Sequence, residues 1–246
     1  MKQLWLLALV LIACGYSPRG SRVVFDSALK LDGTDAPNAN GTYNIWRVNP
    51  DGTGVTPLTN ATAADASSFE PQWSPNGSKV VFASSRKVDG TDAPNGVHTY
   101  NIWRANADGT GLTPLTNVTA AGADSGWPQW SPDGSKVVFE CSRRLDGTDA
   151  PNANFTFNIW RANADGTGLV PITTATSAGT GSVRPQWSPD GSKVVFDSSR
   201  KLDGSDSPNA NGTYNIWRVN VDGTGLTPLT QATASGAHSE LASFSG

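Results

Sequence analysis

The sequence predicts an all-β fold in which one unit of four short antiparallel strands is repeated in tandem. The segment Pro128–Phe139 recurs at Pro185–Phe196, and again at Pro71–Phe82 with one Asn in place of Asp. The tryptophans of these copies are 57 residues apart. Each copy predicts two strands around a Pro-Asp-Gly or Pro-Asn-Gly turn, because Pro presets φ and Gly takes the positive-φ position. A regular period of this kind indicates one domain made of similar units.

The composition and charge agree with a turn-rich β fold. The 246 residues include nine Trp, eight Phe, 26 Gly and 16 Pro, and no long stretch has the periodicity of an amphipathic helix. The formal net charge is −3 and the basic residues are not clustered, so no nucleic-acid partner is expected. The second of the two cysteines, Cys141, stands where other repeats have Ser, so we expect a buried thiol and no disulfide framework.

Two further strands complete each repeat. A long loop follows the Val-Val-Phe strand, and then come an Asn-Ile-Trp-Arg strand, an Asp-Gly turn and a last strand that contains Pro. Proline cannot donate to a strand ladder, so this last strand is expected at the edge of its sheet. We call the four positions A, B, C and D in chain order. Tandem units of this kind predict the blades of a β-propeller, with the Trp side chains of strands A and C packed between blades.

The repeat resembles a known family. The segments Trp130–Phe139 and Asn101–Thr116 are similar to the WD-like repeat of TolB-type β-propellers, which also occurs in the propeller domains of prolyl oligopeptidases. The similarity covers residues 20–231. It implies a β-propeller fold and association with the cell envelope. We expect neither the N-terminal α/β domain of TolB nor the hydrolase domain of the peptidases.

The number of blades follows from counting strands. The sequence contains four B–C–D sets but only three clear A strands, and the pattern begins at Gly20 with a second strand. Phe244 and Ser245 stand where a fourth Trp-Ser is due. We therefore predict a four-bladed ring with units over residues 20–70, 71–127, 128–184 and 185–239, closed by a strand over residues 240–246. The alternative is a fragment of a larger propeller.

The N terminus has the pattern of a lipoprotein signal. Lys2 precedes an apolar run over residues 4–13, and the run ends in Leu11-Ile12-Ala13-Cys14-Gly15, which is similar to a bacterial lipobox. The resemblance implies a signal peptide over residues 1–13, lipidation of Cys14 and a tether over residues 14–19. We expect an outer-membrane lipoprotein that faces the periplasm or the exterior. The alternative is an ordinary secretory signal with an incidental cysteine.

The candidate binding site lies where the repeats differ most. In antiparallel blades the B–C and D–A loops share one face, and the repeats diverge there at the start of each A strand. The divergent residues are Glu70, Trp127, Arg184 and Leu241. A ring of acidic, basic and aromatic side chains at the channel mouth predicts a ligand site. Unconstrained drift of these loops is the alternative.

The B–C loop is a second candidate site. It places the oxygen-bearing side chains of Asp32, Asp35, Asn38 and Asn40 at short spacing, and Ca²⁺ binds six to eight such oxygens. The spacing is not that of an EF-hand, and the same residue types build self-capping turns. Turn formation is therefore the favoured interpretation, and no other cofactor is expected.

The predicted function is binding without catalysis. The sequence has no Gly-x-Ser-x-Gly nucleophile motif and no His or Cys pair with metal-ligand spacing. We predict a membrane-anchored envelope module that binds a protein, a peptide or a cell-wall glycan. One alternative is a carbohydrate-active enzyme that uses Asp65, Glu70, Asp124 and Glu240. Another is a truncated propeller with no function of its own.

Overall fold

A computed structural model of the chain describes residues 15–16, 22–96 and 99–244. The predicted signal peptide and Cys14 lie outside these residues. The described part forms sixteen strands. In chain order they are β1 Gly15–Tyr16, β2 Val23–Ser27, β3 Asn44–Val48, β4 Thr56–Pro57, β5 Ser68–Trp73, β6 Lys79–Ser84, β7 Asn101–Asn106, β8 Thr113–Pro114, β9 Ser125–Trp130, β10 Lys136–Cys141, β11 Asn158–Asn163, β12 Val170–Pro171, β13 Ser182–Trp187, β14 Lys193–Ser198, β15 Asn215–Asn220 and β16 Thr227–Pro228.

The strands form four antiparallel sheets of four strands, as the sequence predicts. Each sheet follows chain order from A to D, so sheet 1 is β1-β2-β3-β4 and sheet 4 is β13-β14-β15-β16. The A strands of neighbouring sheets contact each other, which places them at the centre of the arrangement. This is the architecture of a four-bladed propeller.

Helical structure is confined to short 3₁₀ turns in three of the B–C loops, at Ala39–Gly41, Ala153–Phe155 and Ala210–Gly212. Within the described ranges, no helix has the length and apolar character needed to cross a membrane.

The A–B hairpins form the predicted turns. Gly77, Gly134 and Gly191 have φ angles of 69°, 70° and 69°, so each occupies the left-handed conformation that favours glycine. In the third sheet, the carboxylate of Asp133 accepts hydrogen bonds from the Ser131 hydroxyl at 2.6 Å and from the Ser135 N–H at 2.9 Å. The turn residues therefore satisfy one another, which identifies the repeated Ser-Pro-Asp-Gly segment as structural.

The D strands form the predicted outer edges. Each has only two residues, and its proline lies opposite the C-strand tryptophan of the same sheet, as in the pair Trp103 and Pro114. Because the proline has no N–H to offer, the edge is short and a poor template for further strand pairing.

The hydrophobic core lies between the sheets. The four C-strand tryptophans are exposed to 1% or less of their surface, and the A-strand residues Trp73, Trp130 and Trp187 are also buried. Cys141 is buried as predicted, and burial raises the pKa of its thiol to about 11. Three clusters of buried side chains join sheet 1 to sheet 2, sheet 2 to sheet 3 and sheet 3 to sheet 4.

The ends of the chain differ from the prediction. Sheet 1 takes its A strand from Gly15–Tyr16, which pairs with Val23 and Val24, and not from the C terminus. Residues 240–244 form no strand. The reason is that the chain after β16 keeps the path of the earlier D–A loops: Ser239 N–H donates to Tyr214 O at 3.0 Å, which holds it beside sheet 4. In the described part of the chain, no contact comparable to the three between consecutive sheets joins sheet 4 to sheet 1.

The hairpin turns give a test of the fold. We expect Gly134→Ala to lower the free energy of unfolding by about 1–2 kcal/mol, because an L-residue is strained at this φ. A Cβ on Gly134 would meet its nearest atom, in Pro75, at 3.5 Å, so the cost is conformational and not steric. Gly181→Ala is the matched control, since Gly181 has no positive φ and has open space around it. Chemical denaturation measures both, and equal losses would contradict this account of the turn.

Candidate functional site

The four residues predicted to bind a ligand occupy one equivalent position of the repeat. Glu70, Trp127 and Arg184 lie in A strands, where the register against strand B shifts. Their φ angles are 58°, 50° and 55°, and Leu241 repeats the conformation with 60°. A positive φ is uncommon for residues other than glycine, and a β-bulge re-aims the side chain that it carries. The divergent position is therefore a bulge in the A strands of sheets 2, 3 and 4, and Leu241 repeats its backbone conformation after sheet 4.

A carboxylate of the preceding sheet holds most of these bulges. The donor and acceptor pairs are Glu70 N–H to Asp26 at 3.3 Å, Arg184 N–H to Glu140 at 2.8 Å, and Leu241 N–H to Asp197 at 3.2 Å. The three acids stand at the same position of strand B in three repeats. Each bond runs to the B strand of the sheet before it, and at Glu70 and Arg184 it satisfies an N–H that the bulge removes from the ladder.

Sheet 2 breaks this pattern. Its B strand has Ala83 at the acidic position, so it offers no carboxylate to the bulge at Trp127. The side chain of Glu70 replaces it: Glu70 Oε2 accepts the hydrogen bond from Trp127 N–H at 2.6 Å. Glu70 therefore forms one bulge with its backbone and stabilises the next with its side chain.

A cavity lies between sheets 2 and 3 at the place where Glu70 substitutes for the missing strand-B acid. Its volume is about 210 Å³, and it is lined by Phe69, Glu70, Ala83, Tyr100, Asp124, Ser125, Gly126, Trp127, Glu140 and Phe157. Gly126 helps to open it, because the same position carries Phe69, Val183 and Glu240 in the other repeats. A Cβ on Gly126 would lie 3.3 Å from Glu70 Oε2. We call this cavity the rim pocket.

The rim pocket combines aromatic walls with two carboxyl groups whose pKa values are raised. Burial raises the pKa of Glu140 to about 7, the hydrogen bond from Arg184 N–H opposes the rise, and the charge of Glu70 adds to it. Burial also raises the pKa of Glu70, against the hydrogen bond from Trp127 N–H. The rings of Phe69 and Tyr100 lie 6.1 Å apart along one wall. A cation entering the pocket would favour the charged form of both acids.

The side chain of Arg184 is occupied by ion pairs. Its guanidinium lies 2.7 Å from Asp197 Oδ2 and 3.1 Å from Glu240 Oε2. Asp197 is fully buried, and burial raises the pKa of its carboxyl. The positive charge of Arg184, which the sequence predicts to face a ligand, is thus paired with Asp197 and Glu240. The structure brings Glu70 and Trp127 into one pocket, ties Arg184 to Glu140 by its N–H, and leaves Leu241 exposed beyond sheet 4.

The other predicted acids are separated. Asp124 borders the rim pocket and accepts a hydrogen bond from Tyr100 N–H at 3.0 Å. Asp65 lies in the loop that enters β5, where its carbonyl accepts a hydrogen bond from the Ser85 hydroxyl at 2.6 Å. Glu240 is exposed and pairs with Arg184. Only Glu70 and Asp124 of the predicted enzymatic set therefore share the pocket, and the other carboxyl in it with a raised pKa is that of Glu140.

The B–C loops use the calcium candidates to build turns. Asp32 accepts hydrogen bonds from the N–H and hydroxyl of Thr34 and pairs with Lys30 at 2.8 Å. The amide groups of Asn38 and Asn40 donate to carbonyls of residues 42, 61 and 62. Asp35 is exposed. Within residues 22–96 and 99–244, no three His, Cys, Asp or Glu side chains are arranged to hold a metal ion. Calcium binding stays a prediction.

Sequence reasoning missed the carboxylates of strand B. Asp26, Glu140 and Asp197 directly follow a Val-Val-Phe run, so the pattern predicts only that they belong to the strand. The available signal was an acid at one strand position in three of four repeats. Charged side chains are rarely buried without partners, so this recurrence could have indicated a hydrogen-bonding role.

Comparison with known proteins places the fold. No protein-family model matches the chain. It is 30% identical over 124 residues to Uncharacterized protein Atu1656 of Agrobacterium fabrum, across 50% of this chain and 37% of that protein. It is 26% identical over 126 residues to Uncharacterized peptidase YuxL of Bacillus subtilis, across 51% of this chain and 16% of that protein. The matched region is thus well under half the length of either relative.

Solved structures agree with the sequence resemblance. TolB from Acinetobacter baumannii superposes with a TM-score of 0.58 at 16% identity, over 91% of this chain and 44% of that one. The protein has a TolB-like β-propeller fold. A putative TolB from Agrobacterium tumefaciens gives 0.56 at 23% identity, over 89% and 79% of the two chains. The oligogalacturonate lyase of Vibrio parahaemolyticus gives 0.57 at 18%, over 90% and 54%. A lyase and two TolB proteins, one of them putative, thus share this fold, which by itself assigns no activity.

The raised pKa of Glu140 gives a test of the rim pocket. The carboxyl of Glu140 has a pKa of about 7 in the folded protein, against an ordinary value of 4.5. Because it binds its proton more tightly in the folded state, it destabilises the fold increasingly as the pH rises from 4.5 to about 7. Glu140→Gln removes this penalty and keeps an oxygen for Arg184 N–H. We expect the variant to exceed the wild type in unfolding free energy by about 1–3 kcal/mol at pH 8, and to lose that advantage at pH 4.5. Urea titrations at the two pH values measure it; a pH-independent difference would exclude a buried, proton-binding Glu140.

Proposed function

We propose that the protein is a non-catalytic binding module of the bacterial cell envelope. Its rim pocket would hold one side chain of a protein or peptide partner. The observation that carries the proposal is the local departure from an otherwise near-identical repeat. Ala83 and Gly126 stand where the other repeats have an acid and a larger side chain, Trp127 stands where they have Glu, Arg or Leu, and there the sheets leave a cavity.

The size and chemistry of the pocket favour a basic side chain. A volume of about 210 Å³ is below the roughly 300–1,000 Å³ of pockets that enclose a whole small molecule, so a single inserted group fits better. The acids Glu70 and Glu140 attract a cation, and the aromatic walls suit the aliphatic stem of Lys or Arg and its cation–π contact. A peptide that carries such a residue is the partner class that these features support.

A carbohydrate-active enzyme is the second candidate. The favouring observation is the pKa of Glu140, about 7, beside a second carboxyl in the same pocket, since a general acid must hold its proton near neutral pH. Release of reducing or unsaturated ends from acidic and neutral cell-wall glycans would support it. The enzymatic assignment would also require that the Glu140→Gln variant no longer releases these ends.

The binding proposal is tested at two pocket residues. Trp127→Ala removes the largest wall, and Gly126→Val fills the cavity with the side chain that the next repeat carries at Val183. We expect each to weaken binding of a Lys- or Arg-containing peptide about tenfold or more, the effect of losing a well-packed anchor. The measurement is a peptide array followed by titration of the best peptide with the wild type and both variants.

A neighbouring blade provides the matched control for this test. Val183→Ala changes the position equivalent to Gly126 in the next blade, outside the rim pocket, and should leave peptide affinity unchanged. Thermal melts of all three variants verify the fold. Unchanged affinity in both pocket variants, with their folds intact, would remove the rim pocket as the binding site.

Attachment to the membrane is proposed through lipid on Cys14, which lies outside the described residues. The support is the lipobox-like sequence and the envelope association that the resemblance to TolB implies. Cys14→Ser should move the protein from the membrane fraction to the soluble fraction and abolish labelling with a fatty-acid analogue. Cys141→Ser is the control: this thiol is buried, Ser stands at its position in the other repeats, and membrane attachment should be unchanged. Membrane recovery of Cys14→Ser would contradict the anchor.

A further inference from the structure

Phe155 is an exposed aromatic residue in a backbone conformation that favours glycine. It lies in the 3₁₀ turn of the B–C loop of sheet 3, with a φ angle of 53° and 63% of its surface exposed. The equivalent residues Gly41 and Gly212 have φ angles of 65° and 63°. Phe155 N–H donates to Asn152 O at 3.0 Å, and the two glycines make the same turn bond in their own loops. Sheet 3 thus carries a phenylalanine in a turn that two other repeats build with glycine.

The packing of the fold does not account for this residue. The other described non-glycine residues with positive φ are three Asn, one Asp and the four residues in the bulge conformation. Asn and Asp tolerate this region, and a carboxylate accepts the N–H of each bulge residue. Phe155 has neither property, and it belongs to none of the buried clusters that join the described sheets. A strained residue without a structural reason indicates a functional one.

The ring of Phe155 lies on the loop that leads into the rim pocket. A Cβ on Gly122 would lie 2.6 Å from Phe155 Cε1, so the ring lies directly against the backbone at that point. Asp124, two residues later in the same loop, lines the rim pocket. Phe157, two residues after Phe155, lines it as well. The exposed ring therefore lies beside the pocket, on the side of sheet 3.

Phe155 departs from the repeat, unlike the aromatic residues of the pocket wall. One equivalent position is aromatic in all four repeats, at Tyr43, Tyr100, Phe157 and Tyr214. The position of Phe155 is Gly in two repeats and His98 in the third, which lies outside the described residues. Sheet 3 is also the sheet that carries Gly126 and Trp127. The departures from the repeat thus occur together, and an exposed apolar side chain beside a pocket is typical of a binding surface.

We propose that Phe155 contacts an apolar side chain of the peptide whose basic side chain enters the rim pocket. This proposal rests on the peptide-binding function proposed above and adds a second point of recognition. An aliphatic side chain such as that of Leu suits the ring, because their contact removes apolar surface of both from water. A neutral glycan brings no cation for Glu70 and Glu140, so it fits this surface less well. The partner class is thereby narrowed to peptides with one basic and one apolar residue at a fixed separation.

A double-mutant cycle across the interface tests the contact. The probes are synthetic Ser/Gly-based peptides that carry one Arg and one Leu at a varied separation, and the same peptides with Ala in place of Leu. We expect the wild type to bind the best Leu peptide about tenfold more tightly than its Ala counterpart. Phe155→Gly should remove this difference, because the two changes delete the same contact. Calorimetric titration of the full-length protein measures the four affinities.

Three variants separate recognition from folding. Phe155→Gly should raise the Tm by about 2–4 °C, since glycine adopts this φ without strain. Gly212→Phe places the same ring at the equivalent position of sheet 4, away from the pocket; it should lower the Tm by a similar amount and leave peptide affinity unchanged. Phe155→Asn also tolerates the turn and should weaken binding of the Leu peptide as Phe155→Gly does. A Phe155→Gly variant that melts below the wild type would overturn the proposal, because the ring would then serve the fold.

The outcomes distinguish this contact from the pocket itself. A gain in affinity that requires both Leu and Phe155 supports the proposal. Arg-dependent binding that Trp127→Ala weakens, but that neither Leu nor Phe155→Gly affects, overturns it and leaves the rim pocket as the binding site. Absence of Arg-dependent binding by every peptide overturns both. Phe155-dependent binding of neutral cell-wall glycan fragments, without peptide binding, also overturns it, because the ring then belongs to a different kind of site.

Discussion

The structure depends on packing between sheets. A four-stranded sheet of this size buries little by itself, and its large side chains are covered only when the next sheet is in place. Trp103, Trp160 and Trp217 of the C strands show this most clearly, because each lies in a cluster that joins its sheet to the one before. Each is almost fully buried although it belongs to an antiparallel ribbon only four strands wide. The stability of every blade therefore depends on its neighbours.

Much of the fold could be read from the sequence because its determinants are local and repeated. The Pro-Asp-Gly turn, the Val-Val-Phe strand and the edge proline each act within a few residues, and the period of 57 residues brings the copies into one alignment. The bulges were not foreseen, since a positive φ at Trp127 has no signature in the residue itself. It is stabilised by Glu70, 57 residues away, and that contact exists only after two sheets have packed.

The ends of the chain were predicted less well for a related reason. Strand counting treated Phe244 as the replacement for a missing tryptophan and assumed that the ring closes on itself. The path after β16 is instead set by a local hydrogen bond, Ser239 N–H to Tyr214 O, which is the same one that guides the chain into each following sheet. Counting strands predicts the number of strands, but the direction in which the chain leaves a sheet determines which sheet it packs against next.

The paired roles of Ala83 and Glu70 have a consequence for how a repeat protein can acquire a binding site. The N–H of the bulge needs one carboxylate, and the structure shows that either of two strands can supply it. When an A-strand side chain such as Glu70 accepts this hydrogen bond, the B strand no longer needs an acid and can carry a small residue such as Ala83 beside a cavity. A site built in this manner can be moved: placing it one blade along would require four exchanges, Trp127→Glu, Glu140→Ala, Val183→Gly and Arg184→Trp, in a frame that already repeats almost everything else.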